Sequence, residues 1–275
     1  GKRVGLFNIP SGSARRLEQN NGIEHNFNNG ASIQGAGSVS FLQGTTNFNS
    51  GSQYAATLLT THNQGFVTWN MTAVTINNFN FNGGREQGSA NMTFPGNITW
   101  SGGEWRGNGT ATFTNTANVN FTGNEKFILQ GRTIINNGTI SWNSGDLVST
   151  DGGIFTNNRL INISNDVNLR TNCTGCPGIN FTNAATGIMT KTGSAGTSVF
   201  GNADNVIFNN NGIFNINVGT ITFRGQGDHA GLFNIPSGSA LRFEQNNTIV
   251  HNFNNGSSVQ GSGSVSFLNG TNNFN

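Results

Sequence analysis

What this sequence lacks first is charge. Asp, Glu, Lys and Arg make up 9% of its 275 residues, against a usual quarter or so, so the ordinary charged surface of a globular domain is excluded. The thirteen basic residues are spread out, with no run longer than two, as at Arg15-Arg16. A nucleic-acid binder needs a concentrated basic stripe, and none is present. The eleven acids are too scattered for the paired carboxylates of acid–base or metal-assisted catalysis, and the expectation is a protein that is not an enzyme and holds no cofactor or metal. No apolar run approaches the roughly 18 residues that span a membrane, so this segment has no membrane span. Helix signals are nearly nil.

What is there in quantity is Asn, Gly, Ser, Thr and Phe: 49 Asn, 40 Gly, 52 Ser plus Thr and 22 Phe. Such a composition also occurs in disordered low-complexity chains. Against disorder, Phe, Ile, Val and Trp recur in strand-like alternation. Examples are Thr-Ile-Ser-Trp at 139–142, Thr-Ile-Thr-Phe at 220–223 and Ser-Val-Ser-Phe at 38–41. Each is bounded by Gly and Asn, which tolerate the positive φ of tight corners.

The stretch from Gly231 to Asn275 has already appeared once, as Gly5 to Asn49. The two align without a gap at an offset of 226 residues and differ at nine of forty-five positions. The sequence therefore reads as one continuous β-solenoid over 1–275, with 5–230 a complete large repeat and 231–275 the start of the next. Two of the differences, Arg15 to Leu241 and Glu24 to Val250, change character, which marks those sites as partly exposed.

A shorter period lies inside the large one. Phe7, Phe27, Phe48, Phe113, Ile135, Phe155, Phe181, Phe208, Phe233, Phe253 and Phe274 each precede an Asn-containing turn. Most neighbours in that series are 20 to 27 residues apart. A repeat of that length is the mark of a solenoid, whose units bury their apolar faces only by stacking. The expected fold is an all-β parallel β-helix of about 20–27 residues per coil, with these eleven residues as its inward ladder. A sandwich or propeller predicts other spacings. With neighbouring strands about 4.8 Å apart, ten or so coils make a rod about 50 Å long per large repeat. Residues 50–65, poor in turn residues, are expected to form a lateral loop or a one-turn helix, and the longer coils between Phe155 and Phe208 to project corner loops.

The segments WSGGEWRGNGTATFTNTANVNF (100–121), LQGRTIINNGTISW (129–142) and IFTNNRLINIS (154–164) resemble the degenerate W-x-G-G, G-R-x-x-x-N-x-G-T and F-x-N-x-G-x-x-x-I units of microbial extracellular β-solenoid repeat proteins of the fibrous and adhesin-like surface type. The resemblance implies an elongated structural or adhesive role outside the cell or on its surface. It marks a fold more than a function.

Residues of a type that carries chemistry are few. The charged group Arg15, Arg16, Glu18, Glu24 and His25 returns as Leu241, Arg242, Glu244, Val250 and His251, a loss that a passive surface explains. Asp146 and Asp151 lack calcium-loop spacing, and His25 and His251 have no partner at metal-ligand spacing, which leaves both as surface or corner residues. Cys173 and Cys176, in NCTGCPG, suit a short disulfide pinning a corner, with free thiols or a metal site as alternatives. Twelve N-x-S/T sequons occur, near the number composition alone gives; Asn108, Asn137 and Asn255 are the candidate glycosylation acceptors at corners. A water-ordering face is disfavoured because Thr does not recur at one position in successive coils. Trp69, Trp100, Trp105 and Trp142 belong inside the ladder, or else are exposed sugar platforms of an adhesin. The function this pattern points to is a segment of an extracellular filament. Its partners would be further copies of itself, joined head to tail or side by side, and glycans.

Overall fold

Alternation is what makes each strand here. In Thr139–Trp142 the side chains of Ile140 and Trp142 point inward and are buried while Thr139 and Ser141 face out, and nearly every other strand repeats this period of two. The computed structural model describes residues 2–3, 5–18, 24–173, 175–201, 205–244 and 249–275. Among these the secondary structure is strand only, all paired parallel, in the stacked coils of a β-solenoid of about twelve turns.

Each coil contributes one strand to each of three faces. The first face is a 13-stranded sheet that includes Glu24–Phe27, Thr45–Phe48 and Phe66–Trp69. The second is split into a three-stranded sheet, ending at Gln53–Ala56, and a ten-stranded one beginning at Ala73–Thr75. A pocket lined by Tyr54, Met71 and Val74 lies between the two. The third face is a 12-stranded sheet that includes Ser38–Phe41, Leu59–His62 and Phe79–Phe81.

Corners hold this register because coil sits on coil with almost no clearance. At Gly65, which has φ +82°, a Cβ would lie 2.3 Å from the carbonyl oxygen of Gly44 in the coil below. Residues 50–65 are neither a lateral loop nor a helix: they form Gln53–Ala56 and Leu59–His62, an ordinary part of a coil. Their few turn residues sufficed because the corner between the two strands needs only Thr57 and Leu58.

The second copy of the 45-residue block does not occupy the faces of the first. Leu6–Asn8 lies on the second face and its copy Leu232–Asn234 on the third. Ala14–Leu17 lies on the third and its copy Ser239–Phe243 on the first; Glu24–Phe27 lies on the first and Val250–Phe253 on the second. Leu6–Asn8 and Leu232–Asn234 are 31 strands apart, which at three strands per coil is ten coils and one strand.

Candidate functional site: the stacked interior and its end

The expected single ladder resolves into several columns. Phe27 and Phe48 stack on the first face at 4.8 Å between ring centroids, and Trp69 continues the column at 4.5 Å. Phe155, Phe181 and Phe208 stack on the second face at 4.7 and 5.3 Å. Phe113 occupies a different inward column of that face, above Phe94, and Phe253 and Phe274 fall in the same column higher up. Phe233 belongs to the third face, between Phe214 and Val259. Phe7, only half-buried, lies on the second face below Ile33 and meets Phe27 edge-on at 5.7 Å.

Ile135 is not in the core. Its register partners are the outward Thr112 and Thr156, and Ile134 is the buried residue, between Ala111 and Phe155. A slip of one residue along a strand exchanges the two faces of the sheet, and the repeated Ile at 134 and 135 concealed which one points in.

Asparagine occupies the middle of the Phe113 column. Asn136, Asn157, Asn183 and Asn210 follow one another in register and are fully buried. Each amide N–H donates to the next carboxamide oxygen, at 2.7, 2.8 and 2.8 Å. A chain of amide hydrogen bonds therefore runs through the core, where an unpaired amide would cost about 1–3 kcal/mol. The signal was in IIN, FTN, FTN and FNN, where Asn falls two residues after the buried Ile or Phe.

The four Trp side chains are all buried. Trp100 and Trp142 donate their indole N–H to the carbonyls of Gly102 and Gly145, at 3.1 and 2.7 Å, at the corner between third and first faces. Lys126 serves the same corner: its buried ammonium donates to the carbonyls of Thr122, Asn124 and Ser144 at 2.7, 2.9 and 2.9 Å. Burial pushes its pKa down to about 8 against the opposing pull of Asp146. The W-x-G-G unit thus reads as an indole feeding the carbonyls of its own corner.

A buried charged cluster was not expected. Glu86, fully enclosed, accepts from His62 Nδ1 at 2.8 Å and from the Trp69 indole. Arg132, also enclosed, donates to the Ala90 carbonyl at 3.5 Å and to Met92 Sδ at 3.1 Å. Burial lowers the Arg132 pKa to about 10, with Glu86 opposing. The alternation could have found Glu86, since it stands in register between the inward Val67 and Trp105.

On the surface, charge gathers on the first face and its corners. A groove of about 980 Å³ is lined by Phe66, Arg85, Glu104, Phe127 and Asp146 over a glycine floor. Arg85 and Arg106 pair with Glu104 at 2.9 and 2.8 Å, and Arg170 with Asp146 at 2.7 Å. Burial alone would raise the Glu104 pKa, but these two arginines hold it below the usual carboxylate range. Asp151 is engaged separately, accepting from the Gln130 backbone N–H at 2.6 Å.

Of the other expected residues, Cys173 and Cys176 are joined by a disulfide on a corner. Asn108 and Asn255 are exposed, whereas Asn137 is half-buried and accepts from Asn158 at 2.8 Å; Asn246 lies outside the described residues. Arg15, at the edge of the stack, is half-buried, but Leu241 is fully enclosed between Ile221 and Val265, which corrects the expectation that this site is exposed in both copies. His251 is likewise no surface residue: it is buried against His229. Thr75, Thr93, Thr112, Thr156 and Thr182 do recur on one outward row of the second face, broken by Ile135. The neighbouring row, however, runs Ala73, Asn91, Thr110, Thr133, Ile154, Asn180, so no two-dimensional threonine array forms.

Among the described residues no three His, Cys, Asp or Glu side chains gather as a metal-binding group, and no helix is long and apolar enough to cross a membrane. Comparison with known protein families, with curated proteins and with solved structures gives no match.

Proposed function

We propose that this chain is a repeat segment of an extracellular filament, in which stacked β-solenoid coils continue end to end. One observation carries the reading. The copy of the opening 45-residue block is seated on the stack in unbroken parallel register, Leu232–Asn234 on Ile213–Ile216 and Ser239–Phe243 on Gly219–Phe223, so that one large repeat follows another as coil follows coil. In the first block Val39, Phe41 and Phe48 are enclosed, at 0, 2 and 0% exposure, by the coil that follows them. In the first copy the covering strands are Gln53–Ala56, Leu59–His62 and Phe66–Trp69. The disulfide suits an oxidising compartment, and glycans at exposed corners such as Asn108 and Asn255 would clothe the rod.

The alternative, a carbohydrate-binding stalk of a cell-surface adhesin, loses its sugar platforms with the burial of all four Trp. Electron microscopy of native material tests the filament. A continuous fibre with a layer line near about 4.8 Å and a unit rise near about 50 Å is expected. Isolated particles without axial order would sink the reading.

A further inference from the structure

The 226-residue repeat and the coil do not share a common boundary, and this decides how a filament of such repeats would present its surfaces. Leu6 and Leu232 are equivalent by sequence, yet Leu6 pairs with Ser32 on the second face while Leu232 pairs with Ile213 on the third. Ala14 to Ala240 and Glu24 to Val250 repeat the same one-face advance. The large repeat is thus ten coils and one strand, not a whole number of coils.

Nothing in the packing opposes such an advance. Each face is built of strands of mostly three or four residues with inward positions at a period of two, so a strand that fits one face fits the next. The 45-residue block carries its own inward pattern: Phe27 stacks on Phe48 on the first face, and the copies Phe253 and Phe274 stack as closely on the second, both pairs at 4.8 Å.

We infer that the repeat acts as a screw: each successive copy carries its surface one face, a third of a turn, further round the rod, so that like rods can meet side by side in three directions. The inference rests on the filament reading for its reach. Over the repeat 5–230 the outward charged side chains of the strands concentrate on the first face, at Glu24, Arg85, Glu104 and Arg170, with one on each of the others, Arg16 on the third and Asp228 on the second. One outward row of the third face carries small hydroxyl and amide side chains, among them Thr99, Asn120, Ser141 and Asn162, beside a row that carries Leu160, Ile188 and Ile213. In an array, the charged stretch would fall on the first, second and third faces in turn. Two rods lying side by side would then meet mostly through uncharged outward rows of Asn, Ser and Thr interspersed with exposed Ile154, Ile188 and Ile213, with the charged stretch returning to a given side only every third repeat, about 150 Å along the axis at about 4.8 Å per coil. The partner is a second rod of the same repeats. No side of the rod is reserved for solvent.

Helical reconstruction of the native filament tests this. The expected result is a unit rise near about 50 Å with a rotation near one third of a turn per unit, measured in the rod's own frame. An ordered filament of that rise whose units superpose without rotation would overturn the screw and leave the filament reading intact. If no ordered filament is found the filament reading fails, and the junction is then decided in this chain, with Cys173 and Cys176 changed to Ser. Oxidation should close a cross-link in Ile213→Cys/Leu232→Cys, whose positions are neighbours on the third face, and leave Ile207→Cys/Leu232→Cys open. Closure of the second pair in place of the first would place the copy back on the second face and overturn the inference.

Discussion

His229 Nε2–H donates to His251 Nδ1 across 2.8 Å in the interior of the stack. The tautomers follow from the neighbours: the backbone N–H of Asn210 donates to His229 Nδ1 at 3.2 Å, so that nitrogen is bare and the proton sits on Nε2. Burial pushes the His251 pKa down to about 4, and burial with the adjacent ring takes His229 well below its ordinary value. Both rings are neutral at pH 7.

Stability should therefore fall in acid. An unfolded His titrates near 6.5, so the unfolded chain takes up protons that the folded rings refuse. The contribution of the pair is complete above about pH 6.5 and is lost as pH falls through about 4, with roughly 3 kcal/mol from His251 alone. Urea midpoints measured from pH 7.5 to 4 should drop across that window. In His229→Asn/His251→Asn the drop should shrink to what the carboxylates contribute; a slope unchanged from the parent would show that the pair is not its source.

Breaking the amide column should cost more than its size suggests. Asn157→Leu removes the acceptor of Asn136 and the donor of Asn183 at a fully buried position. The expected loss is about 1–3 kcal/mol, read from thermal or urea unfolding. Asn157→Asp should be worse, because it places a buried carboxylate in the column.

The Glu86 cluster makes a paired claim. Glu86→Gln removes the carboxylate that accepts from His62 and the Trp69 indole and whose charge offsets part of the burial of Arg132, which should destabilise by about 1–3 kcal/mol. Adding Arg132→Met should return part of that loss, since it removes a buried cation that no longer has an opposing charge nearby. A double variant no better than the single one would show that the two charges are not coupled.

Reduction of the disulfide should matter little. Cys173 and Cys176 close a loop three residues apart in sequence, which limits the entropic gain to at most about 2 kcal/mol. The Cys173→Ser/Cys176→Ser chain should keep its parallel-sheet circular dichroism and unfold within a few degrees of the parent. A collapse of the fold would mean that the corner has a larger role.

Trp142→Phe tests the corner. It removes the N–H that donates to the Gly145 carbonyl and leaves a void where the larger indole was enclosed, and the expected cost is about 2–4 kcal/mol by urea unfolding. An unchanged midpoint would show that neither the contact nor the packing of the indole stabilises the corner.

The period of two in strands such as Thr139–Trp142 and the Gly and Asn at their ends were enough to read parallel strands, short corners and a coil of some twenty residues, because backbone geometry ties those features to local sequence. The 226-residue copy was legible for the same reason: identity needs no structure. What the sequence could not say was which face a strand joins. Phe7 and Phe27 look like successive rungs, yet they stand on different faces, and Ile135 looks like the equal of Phe155, yet it points outward. Face and column depend on the summed length of all the corners and strands before them, and a single residue of slip in that sum reverses inside and outside. For the same reason only the stacked structure could show that Glu86 and Arg132 share an interior, that four Asn residues share a column, and that the repeat ends one strand past a whole turn.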